Sequence, residues 1–122
     1  MRPFPGTAMA ASLLLAACAG PTVDELKAEP VRFTATAPVP YDTMANCLAT
    51  RALDDYLVTP LFDPRRGTAT VTLTHRAAMT LQGEYTVRRA DDGSTVEYRR
   101  RKLLVESKDD KARAAVESCS KT

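Results

Sequence analysis

Few residues of this chain have types and spacings that could do chemistry. His75 is the single histidine, and no carboxylate or serine stands at a spacing that indicates a partner for a general base. The sequence contains no glycine-rich phosphate loop and no serine-nucleophile elbow. The acidic pairs Asp54-Asp55, Asp91-Asp92 and Asp109-Asp110 fit a helix end, a turn and the first turn of a helix. We therefore expect no catalytic residue, no cofactor and an exposed position for His75.

A second candidate for chemistry is the basic run Arg99-Arg100-Arg101-Lys102, which lies within a predicted strand. Because side chains alternate along a strand, Arg100 and Lys102 are predicted to point to its apolar side, with Arg89 nearby on the preceding strand. A buried unpaired charge is costly. One explanation is that the helices leave this end of the domain open, so that the long side chains extend over the core, or that a bulge turns the strand. The alternative is that the three cations line a cleft that binds a carboxylate or a phosphate.

The third group is the cysteines, and the first of them closes an apolar segment near the N-terminus. The segment runs from about Ala8 to Ala17, after a positive start at Met1 and Arg2, and ends in Leu15-Ala16-Ala17-Cys18. Ten helical residues span roughly 15 Å, about half of the roughly 30 Å hydrocarbon core of a bilayer. The segment is thus predicted to be a signal peptide and not a membrane span.

Leu15-Ala16-Ala17-Cys18 resembles the lipobox of bacterial lipoproteins. The resemblance implies that Cys18 carries a diacylglyceryl thioether, becomes the N-terminus after cleavage and is acylated on its amino group. Two or three acyl chains would anchor the protein stably. In such lipoproteins an aspartate directly after the cysteine retains the protein in the inner membrane, and this chain has Ala19 there. The resemblance therefore implies that the protein is anchored in the outer membrane, on its periplasmic side. The alternative is an ordinary secretory leader followed by a coincidental cysteine.

Cys47 and Cys119 remain once Cys18 is assigned to lipid. Disulfides persist in exported proteins, and a bridge would close a loop of about 73 residues, worth roughly 4 kcal/mol in the chain-entropy model. We expect this bridge; two buried free thiols are the alternative. The two cysteines and His75 lack the spacing of a zinc site, so no metal is expected.

Length and charge limit the organisation of the chain. Residues 1–17 are predicted as the signal peptide, 18–30 as a lipidated tether and 31–122 as one small domain. The whole chain has 17 Lys and Arg against 15 Asp and Glu. Without Arg2, the only charge of the leader, the mature net charge is 16 − 15 = +1. This near-neutral balance argues against nucleic acid as a partner.

Hydrophobic periodicity predicts a small α+β domain. The predicted strands cover about 31–36, 57–61, 68–74, 80–90 and 95–105, the first two being short edge candidates, and the predicted helices cover about 42–55 and 108–119. An Asp92-Gly93 loop would place Val87 opposite Tyr98. Ser107 and Asp110 suggest a capping box. We expect two layers: an antiparallel meander of three or four strands, with both helices on one face and the two cysteines brought together.

The functional expectation is a lipid-anchored cell-envelope protein that acts without catalysis, as a binding or accessory module for another envelope component. The membrane, through the lipid, and an envelope protein are the expected partners. A binder of an anionic molecule or polymer near Arg100 is the second hypothesis, and an enzyme is the third. The arrangement Pro-Tyr-Asp, cysteine, hairpin, cysteine is also similar to that of small proteobacterial lipoproteins with two cysteines around a sheet.

Overall fold

One antiparallel sheet organises the described part of the protein, and three helices accompany it there. The computed structural model describes residues 22–102, 104 and 106–121, so Cys18 and the predicted signal peptide lie outside the described residues. In chain order the elements are α1 (Val23–Lys27), β1 (Phe33–Ala37), α2 (Tyr41–Ala52), β2 (Leu57–Asp63), β3 (Thr68–Thr74), β4 (Leu81–Ala90), β5 (Gly93–Arg100) and α3 (Ser107–Cys119).

The strand order is β1-β5-β4-β3-β2, with every neighbouring pair antiparallel. Strands β2 to β5 form a meander, and β1 lies at the far edge beside β5. The predicted α+β class is confirmed. The predicted strand count was too low, because β1 and β2 both join the sheet, which has five strands. The third helix, α1, forms within the segment predicted as tether.

The β4–β5 register differs from the prediction by two residues. Asp91 and Asp92 form the turn, Ala90 pairs with Gly93, and Tyr98 stands opposite Tyr85 instead of Val87. Gly93 begins β5 with φ +152°, and a Cβ there would lie 2.0 Å from a β1 carbonyl oxygen. A glycine is therefore required at this position by the close approach of β1, and not by the turn. A shift of two residues keeps every side chain on its predicted face.

The inner face of the sheet carries the hydrophobic core. Alternate residues of each strand pack there against the apolar stripes of α2 and α3, in one cluster that includes Met44, Leu48, Val71, Val87 and Val116. The helix α3 begins with Glu106 as its N-cap and makes no side-chain capping bond, so the predicted capping box of Ser107 and Asp110 is wrong. Strand β5 ends at Arg100, before the predicted end at 105.

The helix α1 lies on the outer face of the sheet. Its N-cap Thr22 accepts a hydrogen bond from the Glu25 N–H at 3.2 Å, and Leu26 is buried to 1% exposure. The helix contacts β4 and β5, and Lys27 reaches Glu84, whose side chain alternates with the core residue Tyr85. Residues 22–30, predicted as part of the tether, thus include a segment packed against the domain.

Strand β2 is the exposed edge of the sheet on the side away from β1. Leu57, Leu61 and Phe62 are all at least 40% exposed there. Pro60, at the middle of the strand, has no amide hydrogen to offer to a further strand. Among the described residues, no helix is long and apolar enough to cross a membrane.

Candidate functional site

The helices α2 and α3 are antiparallel, and a disulfide joins the middle of α2 to the last residue of α3. The Sγ atoms of Cys47 and Cys119 lie 2.09 Å apart, the distance of a disulfide bond. Towards the other end, Lys111 Nζ lies 2.6 Å from Asp55 Oδ2, and Asp109 is ion-paired with Arg100 of β5. The three contacts fix α3 along its length against α2, the turn after α2 and the sheet.

Between the helices, beyond the disulfide, a groove of about 440 Å³ opens over the sheet. Its floor comes from β3, β4 and β5, and its walls from the end of α2 and the first three turns of α3. The lining residues are Arg51, Ala52, Asp54, Asp55, Tyr56, Leu73, Tyr85, Tyr98, Lys108, Lys111, Ala112, Ala114 and Ala115. We call this opening the tyrosine groove, after its three tyrosines. Its volume falls in the range typical of ligand-binding pockets.

The floor of the tyrosine groove is aromatic. The Tyr85 and Tyr98 rings lie 5.3 Å apart between centroids, and Phe33 extends the row at 5.5 Å from Tyr98. Burial raises the pKa of both tyrosine hydroxyls well above the usual range. Both hydroxyls are therefore protonated at neutral pH, where they can donate and accept hydrogen bonds but not serve as phenolate bases.

The rim of the tyrosine groove is charged. A hydrogen bond with Lys111 lowers the pKa of Asp55, and the same bond raises the pKa of Lys111. Lys108 Nζ stands 5.9 Å from the centroid of the Tyr56 ring. A rim of mixed charge around an apolar floor can orient a bound group and exclude water from it.

Arg100, the centre of the predicted anion site, is engaged within the fold. Its side chain points to the inner face, as predicted, and is 3% exposed. Two of its nitrogens donate to the Asp109 carboxylate, one of them at 3.0 Å, and a third donates to the Leu104 carbonyl at 2.6 Å and to that of Arg101 at 3.2 Å. The bond with Asp109 raises the pKa of Arg100 further. The guanidinium fastens α3 and the preceding loop to the sheet.

The structure does not bring Arg89, Arg100 and Lys102 together. Arg89 pairs with Ser94, six residues along β5 from Arg100, which is about 20 Å in a strand. It is exposed and lies over the Tyr41 ring at 5.2 Å. Lys102 follows the end of β5 in an exposed turn, and its backbone N–H donates to Glu29. The three cations therefore do not form one cleft, because Arg89 lies at the turn end of the β4–β5 hairpin and Arg100 at its other end.

Two other arginines lie near this end of the sheet, Arg99 in β5 and Arg32 directly before β1. The Arg32 N–H donates to the Tyr98 carbonyl at 2.7 Å, one position out of the Phe33–Tyr98 register. Arg99 points to the outer face, opposite Glu84 of β4. The Nε atoms of both are buried and have no hydrogen-bond partner. No described carboxylate lies within ion-pair distance of either. The sequence signal was the alternation of residues 31–36, which predicted a strand but not its neighbour.

His75 is exposed in the loop between β3 and β4. Its Nδ1 accepts a hydrogen bond from the Ala78 N–H at 3.1 Å, which closes the loop. Among the described residues no group of three or more His, Cys, Asp or Glu side chains could hold a metal ion.

Comparisons of the chain with protein-family models, with curated proteins and with solved structures find no match. The function of the tyrosine groove and of the arginines at the end of the sheet therefore has to be argued from their own geometry and charge.

Proposed function

We propose that the protein is a lipid-anchored cell-envelope protein, held through Cys18 on the periplasmic side of the outer membrane. There it acts without catalysis, by binding another envelope protein in the tyrosine groove. The lipobox-like residues Leu15–Cys18 support the anchor. The observation that carries the binding role is the aromatic floor between two helices that a disulfide joins.

The chemistry of the tyrosine groove favours a protein segment as its occupant. Tyrosine offers an apolar ring and a polar hydroxyl together, which is why it is enriched at protein interfaces. Ala112 and Ala115 leave room above the floor for an apolar side chain of the partner. Arg51, Lys108 and Asp54 at the rim present both signs of charge, as the polar border of a protein interface does.

The anchor is tested by the intact mass of the protein extracted from membranes. We expect a chain that begins at Cys18 and carries two or three acyl chains. Cys18→Ser should leave the chain unprocessed and without acyl mass. A wild-type chain free of acyl groups, or a Cys18→Ser chain that is still processed at the same position, would contradict the anchor.

The binding role is tested by photo-crosslinking in intact cells. A photoreactive phenylalanine at Ala114, an exposed residue of the groove wall, should give a discrete adduct with one envelope protein. The same probe at Ala78, exposed in the β3–β4 loop, is the matched control. Tyr56→Ala should weaken the adduct at Ala114 and leave the lipidation unchanged. Equal adducts at both positions, or an adduct that Tyr56→Ala does not affect, would argue against the groove.

The second candidate function is the binding of an anionic group at the basic end of the sheet. Arg100 itself is engaged by Asp109, so this role passes to cations near it that lack a partner. Arg32 and Lys102, which line one opening of about 460 Å³, are the observation that favours it. An adduct with glycan or lipid from the same probe at Pro30, an exposed residue of that opening, with no protein adduct at Ala114, would favour this second role over the first.

A further inference from the structure

The outer face of the sheet has a fully buried carboxylate with two cations beside it. Glu84 of β4 is 0% exposed, and its Oε1 lies 3.7 Å from Lys27 Nζ of α1. The Thr86 hydroxyl donates to the same oxygen at 3.4 Å. Arg99 of β5 stands directly opposite Glu84, yet the two side chains are not within ion-pair distance of each other. Glu84 therefore has a second cation next to it that it does not use in this arrangement.

Both members of this unused pair have an atom without a partner. Glu84 Oε2 and Arg99 Nε are buried and make no hydrogen bond. A buried polar atom that is left unsatisfied is costly. Side chains directly opposite on antiparallel strands have Cβ atoms about 5 Å apart, so a change of rotamer suffices to bring the guanidinium to the carboxylate. An arrangement in which Arg99 pairs with Glu84 would satisfy both atoms, and it would compete with Lys27.

The helix α1, which carries Lys27, is attached to the sheet by few contacts. It has five residues, too few for a helix that is stable on its own. Leu26 is its one buried side chain, and this leucine does not belong to the hydrophobic cluster of the inner face. The other contacts are the ion pair of Lys27, whose side chain is about half exposed, and a 3.3 Å hydrogen bond from the Lys102 N–H to Glu29. The helix can therefore leave the sheet without opening the core.

We propose that α1 is a detachable strap on the outer face, and that Lys27 and Arg99 alternate as the partner of Glu84. In the docked state, which the structure shows, Lys27 holds the carboxylate and Leu26 is buried against the sheet. In the released state Arg99 pairs with Glu84 and compensates for the loss of Lys27. A buried charge that loses its only partner is strongly destabilising, and the alternation avoids this cost. The two states therefore lie close in free energy.

Release of the strap would change the reach of the domain above the membrane, and this step rests on the proposed lipid anchor. Thr22, the N-cap of α1, follows Cys18 by four residues, whereas Phe33, the first residue of β1, follows it by fifteen. An extended chain of four residues spans at most about 14 Å, and one of fifteen at most about 50 Å. The docked strap would keep the tyrosine groove close to the membrane, and release would let it reach a partner farther away.

The alternation is tested by amide hydrogen exchange of the full lipidated chain in neutral detergent, because exchange reports local opening. The readout is the pair of Leu26 and Ala28 amides, which are hydrogen-bonded in α1. Lys27→Gln should accelerate their exchange about threefold, since it removes the partner of the docked state. Arg99→Gln should slow it about threefold, since it removes the partner of the released state. Arg65→Gln, in the exposed turn after β2, is the control and should change nothing.

The opposite signs distinguish a strap from a merely structural role of the two cations. If Arg99 only supported the fold, Arg99→Gln would accelerate exchange in α1; that result, or no change, would overturn the proposal. Glu84→Gln gives a second test: without the shared carboxylate, Arg99→Gln should no longer slow the exchange. Slowing that persists in the Glu84→Gln background would also overturn it. Exchange in β3 and β4 serves as the reference for global stability.

The change of reach is measured separately, by energy transfer from a fluorophore at Ala78 to acceptor-labelled lipid in vesicles. Ala78 is exposed in the β3–β4 loop. Lys27→Gln should lower the transfer, and Arg99→Gln should not. Constant transfer in Lys27→Gln would overturn the change of reach. The intact mass of each sample is read independently: a chain without lipid contradicts the proposed anchor, whereas a lipidated chain whose exchange does not respond overturns the strap alone.

Discussion

Arg99 and Arg100 are consecutive residues of β5, yet their surroundings are opposite. Arg100 points to the inner face, is almost fully buried, and has Asp109 and two carbonyl oxygens as acceptors. Arg99 points to the outer face, opposite Glu84 of β4, and its Nε has no acceptor. The charge of Arg100 is therefore fully matched from within the chain, whereas the Nε of Arg99 is not. We infer that Arg100 contributes more than Arg99 to the stability of the fold.

The disulfide provides the largest test of the inner face. Cys47→Ala with Cys119→Ala should lower the free energy of unfolding by roughly 4 kcal/mol, because the bridge closes a long loop with a sequence separation of 72 residues. Urea unfolding followed by circular dichroism measures the loss. Reduction of the wild-type protein should reproduce it. A loss below about 1 kcal/mol would mean that packing alone holds α3 in place.

Removal of the partner of Arg100 is the next largest test. Asp109→Ala should cost about 3 kcal/mol, because it leaves a buried guanidinium without its counter-charge. Asp110→Ala, the exposed neighbour on the same helix turn, is the matched control and should cost little. If the two variants unfold at the same urea concentration, the inner face does not depend on this ion pair, and the contrast between Arg99 and Arg100 loses its basis.

The docking of α1 gives a smaller effect, confined to the outer face. Leu26→Ala should cost about 2 kcal/mol, at the low end for a buried leucine, because a five-residue helix can detach without opening the core. Amide hydrogen exchange should accelerate in α1 and stay slow in β3 and β4. Faster exchange throughout the sheet would show that α1 supports the whole fold.

Arg99, on the outer face, should give a smaller effect than the partner of Arg100. Arg99→Gln removes the charge that stands opposite Glu84 on β4 and should lower the free energy of unfolding by only about 0.5 kcal/mol, the order of a cross-strand pair of opposite charges. Urea unfolding measures the change, with Arg65→Gln as the control. A loss as large as that of Asp109→Ala would show that Arg99 supports the fold as much as Arg100 does.

The smallest expected effect is the pH dependence of the rim pair Asp55–Lys111. The pKa of Asp55 is lowered in the folded protein, so its contribution to stability is complete above the ordinary value of 3.8 and is lost as the pH falls through the lowered value. Both side chains are largely exposed, so the loss is small. The difference in urea midpoint between wild type and Asp55→Asn should shrink as the pH falls below about 4. A constant difference would mean that the pair does not contribute.

The elements of the fold could be predicted where the pattern is local. Strand β3 alternates threonine with apolar residues, and its bounds match the prediction over 68–74. Pro60 indicated an edge strand, and β2 is one. The predicted apolar stripe of α3 was correct as well, since Ala112, Val116 and Cys119 are buried. These features depend on residues close to one another in sequence, so the chain alone contains the information.

The rest depends on contacts between distant residues. The hairpin register is decided by β1, which needs Gly93 beside it, some sixty residues away in sequence. The tyrosine groove could not be predicted, because its lining comes from three strands of the sheet, the end of α2 and the first turns of α3. The alternation that placed Arg100 on the apolar side was informative, but Asp109, its partner, was assigned to a helix turn. The contact of Arg32 with β5 needed the strand order, which no periodicity contains.

The lipid anchor that we propose would give Pro60 a further consequence. Molecules anchored in one leaflet meet their own copies in two dimensions, at a far higher rate than the same number of free molecules would. The β2 edge exposes the apolar side chains of Leu57, Leu61 and Phe62, which favours self-association. A continuous row of free amide hydrogens there would allow further copies of the protein to extend the sheet. The missing hydrogen at Pro60 interrupts that row at its centre. Pro60 would thus limit edge-to-edge association of the sheets even where many copies are close together on the membrane.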